Sequence, residues 1–156
     1  MLLANLVFIY LFLNPEISGK FFEELDFKQK REKGFVTKII DGDTIVVNGE
    51  HIRLLGIDTD ERGEPCYKEA KDILGELILN KEIEMEKDFT DRDQYDRLLR
   101  YIFIINESIE ININLLLVEE GLAIARFYEG TKYKDEIILA EENARKNRIG
   151  CKWRDL

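Results

Sequence analysis

Cysteine and proline occur twice each in this chain of 156 residues, and histidine and tryptophan once each. Cys66 and Cys151 stand far apart and no C-x-x-C is present, which excludes a zinc-finger scaffold. In an exported chain the two thiols could join the start of the first helix to the tail; two unrelated thiols fit the spacing equally. Two prolines and ten glycines exclude a linker-dominated or low-complexity chain. No apolar run reaches the roughly 20 residues that a bilayer-spanning helix needs. Positive charge is also short: Lys and Arg number 23 against 32 Asp and Glu, a net charge of −9. A chain of that sign does not gather nucleic acid by its overall field, so a polyanionic partner would need a local basic cleft or a bridging cation.

The longest apolar run, residues 2–13, has the length of a signal-peptide core, with Ser18 and Gly19 as small residues near a cleavage point. Its positive flank is only the amino terminus. Residues 1–19 therefore read as a secretory or anchoring segment, with membrane association and an extracytoplasmic location, or as a hydrophobic helix docked on the domain of a cytoplasmic protein. Residues 20–33, "KFFEELDFKQKREK", read as a charged connector. Residues 34–156 are long enough for one domain with its own core, and a monomer is expected.

Within that domain "FVTKII" and "TIVV" flank an Asp41-Gly42 turn, and Asn48-Gly49 marks a second hairpin before "HIRLLGI". Pro65 opens a stretch in which Ala70, Ile73, Leu74, Leu77 and Ile78 recur at helical spacing. "EIEMEKDF" and "RLLRYIFII" read as two more strands, "NINLLLVEEGLA" as a second helix closing near Gly121, and "KDEIILAEENARKNRIG" as a third stopping at Gly150. The order predicts a five-stranded OB-fold barrel with three helices, an α+β domain, because small sheets curl shut to remove their edges.

Among these apolar strands sit Asp43, Arg53, Asp58 and Glu61. A strand meander could bring them to one rim, where carboxylates repel unless a cation joins them, and a hard oxygen cluster suits calcium better than zinc. The alternative is that Asp41 and Asp43 serve turns and residues 58–61 form a solvated loop. Arg53 and Arg97 lie in otherwise apolar strands and either snorkel to the surface or clamp an anion such as a phosphodiester. The sole histidine, His51, reads as a strand surface residue. "DRDQYDR" is no EF-hand, since it lacks the glycine and final glutamate.

"IDGDT", "RLLGIDTDE", "DQYDR", "NLLLVEEGLA" and a terminal Trp153, in that order, resemble the staphylococcal nuclease-like (thermonuclease) family across nearly all of the chain after the N-terminal segment. The resemblance implies calcium-dependent cleavage of DNA and RNA with little sequence preference, leaving 3′-phosphate and 5′-hydroxyl ends. It implies that Asp43 and Asp58 bind Ca2+ through carboxylates and Thr59 through its backbone carbonyl. Glu61 would orient or deprotonate the attacking water, Arg53 and Arg97 would clamp the phosphoryl oxygens, and Tyr95 would reach a neighbouring phosphate. Asp41 would hold the turn or a calcium-bound water, and Phe127 or Tyr128 could stack a base or pack in the core. Three positions depart from the family pattern: Asp60 for a proline, Gln94 for a lysine and Asp96 for a glycine. Each makes the phosphate path more negative and implies a weaker grip. A non-catalytic barrel that binds nucleic acid or protein is the competing expectation, and retention of all five charged groups argues against it.

Overall fold

Ile45 and Ile52 face each other across a tight hairpin and are fully buried, and on the neighbouring pair Thr44 opposes Arg53. This alternation fixes which side chains enter the core and which reach the rim. The computed structural model describes residues 31–106, 109–128 and 132–155. The expected secretory or anchoring segment, 1–19, lies outside the described residues, as does nearly all of the expected connector. The connector's last two residues are instead paired: strand β1 spans Glu32–Ile39, with Glu32 opposite Met85 and Lys33 opposite Glu84.

The other strands are β2 (Thr44–Val47), β3 (Glu50–Leu54), β4 (Ile57–Thr59), β5 (Glu82–Glu86), β6 (Leu98–Asn106), β7 (Ile109–Asn112) and β8 (Ala123–Ala125). The main sheet runs β3-β2-β1-β5-β6-β7, and a parallel pairing of β3 with β6 closes five of its strands into a barrel. That is the expected barrel, and closure removes the two open edges that a flat sheet would present. The hairpin at Asn48 (φ 50°) and Gly49 (φ 90°) has the paired positive φ of a type I′ turn. His51 is exposed on β3. Strand β7 extends the sheet beyond the barrel over residues for which the sequence predicted no element, and it ends at Asn112, which caps the expected second helix.

Helix α1 is Tyr67–Ile78, α2 is Ile113–Glu119, α3 is Lys134–Asn147 and α4 is Gly150–Trp153. Ala70, Leu74 and Ile78 form the buried stripe of α1 at i, i+4 spacing. Pro65 precedes its first turn, and Cys66 occupies the N-cap. Helix α3 stops at Asn147 with Arg148 in the left-handed conformation, so Gly150 does not end that helix but begins α4. Cys66 and Cys151 form a disulfide that ties the start of α1 to α4. Closing an 85-residue separation in this way stabilises the fold by about 4 kcal/mol through the unfolded state. Strands β4 and β8 form a separate two-stranded ribbon beside the barrel.

Candidate active site at the barrel rim

The turn between β1 and β2 builds the first half of the site. The backbone N–H of Asp43 donates to the Asp41 carboxylate (3.1 Å), while the Thr44 carbonyl accepts from the Ile40 N–H at 2.9 Å. Asp41 therefore holds the turn through this hydrogen bond. Gly42 is required by space: a Cβ there would meet the Thr59 side chain at 2.8 Å and Ala70 at 2.9 Å. Because that space stays open, Thr59 on β4 donates both its N–H (2.9 Å) and its hydroxyl (3.1 Å) to the same oxygen of Asp43. The other Asp43 oxygen accepts from the Thr44 hydroxyl at 3.1 Å.

Arg53, opposite Thr44 on β3, reaches both acids. One guanidinium nitrogen lies 3.1 Å from Asp43 and another 2.9 Å from Asp58, and the first also donates to the Leu54 carbonyl. Asp43 is only 7% exposed. Burial is the main cause that raises its carboxyl to about 6; the Arg53 charge and the Thr59 hydrogen bonds pull it down, and the Asp41 charge adds to the rise. Arg97 enters from β6's approach. Its Nε and Nη2 lie 2.7 Å from Asp93, and its Nη1 donates to Thr44 Oγ1 at 3.4 Å. A relay of Arg97, Thr44, Asp43 and Arg53 thus links the two arginines. Asp93 is held below its ordinary value: burial opposes its charge, but hydrogen bonds from the Arg97 backbone and side chain and from the Tyr95 N–H outweigh it.

Beside this relay opens a cavity of about 540 Å3 whose wall includes Arg53, Tyr95, Arg97, Arg126 and Tyr128. The expected arginine pair and Tyr95 therefore converge on one pocket. Tyr95 is largely exposed, with the Arg97 guanidinium 5.4 Å from its ring centre. Phe127 and Tyr128 divide between the two expectations: Phe127 packs on the core, and Tyr128 stands exposed at the cavity. Glu61 is not part of the cavity wall. It is exposed in the turn after β4, where its N–H donates to Glu64 (2.6 Å) and its carbonyl accepts the Glu64 N–H.

Arg126 is a member of the site that sequence reasoning missed. It follows the three-residue β8, donates its N–H to the Gly56 carbonyl, and places its guanidinium 3.9 Å from Asp58 and 4.7 Å from the Tyr128 ring centre. No periodic pattern marks it; the available signal is the basic residue directly before two aromatics. The departures at Asp60 and Asp96 also read differently in three dimensions. Asp96 takes a positive φ of 64°, a conformation suited to glycine and tolerated by aspartate, and its charge faces Arg92 at 3.5 Å. Asp60 pairs with Lys152 and accepts the Cys66 N–H. Both charges are therefore paired within the chain.

Residues 51–155 match the model of the staphylococcal nuclease homologue family. The thermonuclease of Staphylococcus hyicus is 34% identical over 122 residues, covering 71% of this chain and 70% of that protein. The chain belongs to the staphylococcal nuclease homologue family. Thermonuclease from Staphylococcus intermedius is 30% identical over 158 residues, covering 94% of this chain and 90% of its own length. The micrococcal nuclease of Shigella flexneri is 32% identical over 132 residues, covering 79% of this chain and 74% of that protein.

Among the described residues no three or more His, Cys, Asp or Glu side chains converge as a ready metal cage. The donors still fit a hard cation. Two carboxylates lie around one guanidinium, and burial together with the Asp41 charge raises the Asp43 carboxyl, so its ionised form is costly there without further positive charge. An incomplete protein donor set is suited to an ion that shares its sphere with water and substrate.

Proposed function

We propose that this chain is a nuclease that hydrolyses DNA and RNA phosphodiesters in a calcium-dependent reaction with little sequence specificity, leaving 3′-phosphate and 5′-hydroxyl ends. The observation that carries the reading is Arg53 spanning Asp43 and Asp58 while Arg97 meets the same strand pair through Thr44, all beside one cavity. The relatives named thermonuclease and micrococcal nuclease support it.

Asp43, Asp58 and the Thr59 carbonyl would hold the calcium, which supplies charge neutralisation at the phosphate and a site for water. Glu61 draws the proton from the attacking water. Arg53 and Arg97 donate to the phosphoryl oxygens, whose negative charge grows in the transition state, with Arg97 toward the departing 5′ oxygen. Tyr95 reaches a neighbouring phosphate, and Tyr128 offers a face on which a base stacks without regard to its identity. The cationic pocket and the metal answer the objection raised by the net negative charge. An exported or membrane-anchored monomer agrees with the disulfide, which persists in oxidising compartments. Among the described residues, which exclude the first 30, no helix is long and apolar enough to cross a membrane.

The test is digestion of single-stranded DNA by the purified full-length chain across a calcium titration, with product ends identified by enzymatic labelling. Cleavage that needs calcium and stops with EGTA is expected. Undiminished cleavage in EGTA, or none at any calcium concentration, overturns the reading.

A further inference from the structure

Between Thr59, anchored on Asp43, and Cys66, the N-cap of α1, the chain makes a short loop that carries Glu61. Its interior is braced by the reciprocal Glu61 and Glu64 bonds, with Gly63 at φ 101°. Its two ends are joined by one hydrogen bond, from the Cys66 N–H to the Asp60 carboxylate at 2.8 Å. Both ends are also gripped from outside by adjacent residues of α4. Cys151 holds Cys66 through the disulfide, and Lys152 holds Asp60 through an ion pair whose side chains are 17% and 11% exposed. Burial works against the Asp60 charge, but the Lys152 ammonium and the Cys66 N–H outweigh it and keep the carboxyl below its ordinary value.

The tail is itself fixed against the turn after α2. The Lys152 N–H donates to the Gly121 carbonyl at 3.0 Å, and a Cβ on Gly121 would lie 1.9 Å from the Ile149 carbonyl oxygen. Loop, tail and helix turn therefore form one rigid chain of contacts that ends one residue from Glu61.

We infer that Asp60, Lys152 and the Cys66–Cys151 disulfide are positioning elements that hold Glu61 in register with the Asp43–Asp58 pair. The inference rests on the role of Glu61 given above. Glu61 is exposed and none of the described contacts fixes its carboxylate, so its placement is inherited from the two clamped ends of its loop. A group displaced by about 1 Å from a reacting water can lose up to 100-fold in rate. Asp60, which departs from the proline common in the family, thus gains a reason: its carboxylate both joins the loop's two ends and meets the tail.

Lys152→Met removes one clamp and Lys152→Arg keeps it. Hydrogen exchange, read on the peptide spanning 58–66 in the full chain, should be at least tenfold faster in Lys152→Met, unchanged within twofold in Lys152→Arg, and unchanged for barrel peptides. Treatment with dithiothreitol, which leaves two protein thiols and becomes a cyclic disulfide itself, should release the other end and add to the effect. In the nuclease assay Lys152→Met should lower kcat about tenfold with KM for DNA within twofold. In a Glu61→Gln background the same change should cost less than twofold, because the positioned group is gone. Slow exchange in Lys152→Met, or an equal loss of kcat in both backgrounds, overturns the inference. If the wild-type chain cuts no DNA, the nuclease reading fails by itself and the exchange measurement alone decides whether the loop is clamped.

Discussion

Asp43 occupies a place where a carboxylate is costly without a cation. One of its oxygens already accepts from Thr59 twice and faces Arg53, and the other meets, among the described residues, only the Thr44 hydroxyl, which can accept as readily as donate. Asparagine would fit with its oxygen on the first side and its amide on the second. The folded carboxyl lies at about 6, above its ordinary 3.8, because of burial first. Its contribution to metal-free stability is therefore fully present below 3.8 and is lost as pH rises through 6. Asp43→Asn should gain about 1 to 3 kcal/mol over wild type at pH 7.5 in EGTA, a rise of several degrees in Tm, and almost nothing at pH 4. It should also lose calcium-induced stabilisation. Thermal melts at the two pH values with and without calcium check this; equal melting temperatures at pH 7.5 would mean that the buried charge is already satisfied by Arg53. The gathering of Asp43, Arg53, Asp58 and Arg97 was legible through the family resemblance of their short motifs, since turn and strand signals alone fit turns, a solvated loop or surface arginines as well. Arg126 was not, because its place beside Asp58 is made by the β4–β8 ribbon, a pairing of residues more than 60 apart in sequence.

At the scale of elements, alternation and turn chemistry carried the barrel. The Asn48-Gly49 hairpin, the apolar faces of β2 and β3 and the α1 stripe are all local patterns, and all three form as expected. Closure through β3 and β6 is a non-local parallel pairing, foreseeable only from the general need to hide edges. The three-residue strands β4 and β8 and the four-residue α4 are too short to show a period, and tertiary contacts define them. Glycine illustrates the same divide. Gly49 and Gly121 both adopt positive φ, yet a Cβ on Gly49 meets nothing within 4 Å while one on Gly121 meets the Ile149 carbonyl oxygen at 1.9 Å. Gly49→Ala should cost about 1 kcal/mol, the conformational penalty alone. Gly121→Ala should cost about 2 to 4 kcal/mol, because the tail must leave its seat. Urea unfolding of the two variants checks the ordering, and equal costs would show that the tail yields without loss.

For the molecule as a whole, the chain carries nine excess negative charges, yet Arg53, Arg97 and Arg126 gather at the wall of one pocket. An extended basic groove would contact many phosphates and lose affinity steeply with salt; a short cationic pocket in an acidic surface cannot. Each phosphate neutralised on a single strand contributes about −0.7 to the slope of log affinity against log salt. With Arg53 and Arg97 on one phosphate and Arg126 on another, the slope for kcat/KM on single-stranded DNA should be about −1.4. From 50 to 200 mM NaCl at fixed saturating calcium, that is a fall of roughly 7-fold. Arg126→Ala should bring the slope closer to about −0.7, because one contact is lost while the Asp43–Arg53–Asp58 linkage stays intact. A slope near −5 in the wild type would locate the main grip on a basic surface away from this cavity. A slope unmoved by Arg126→Ala would leave that arginine as a partner of Asp58 and Tyr128 alone. Calcium must be held saturating throughout, since ionic strength also weakens cation binding to the two aspartates and would otherwise steepen the apparent dependence.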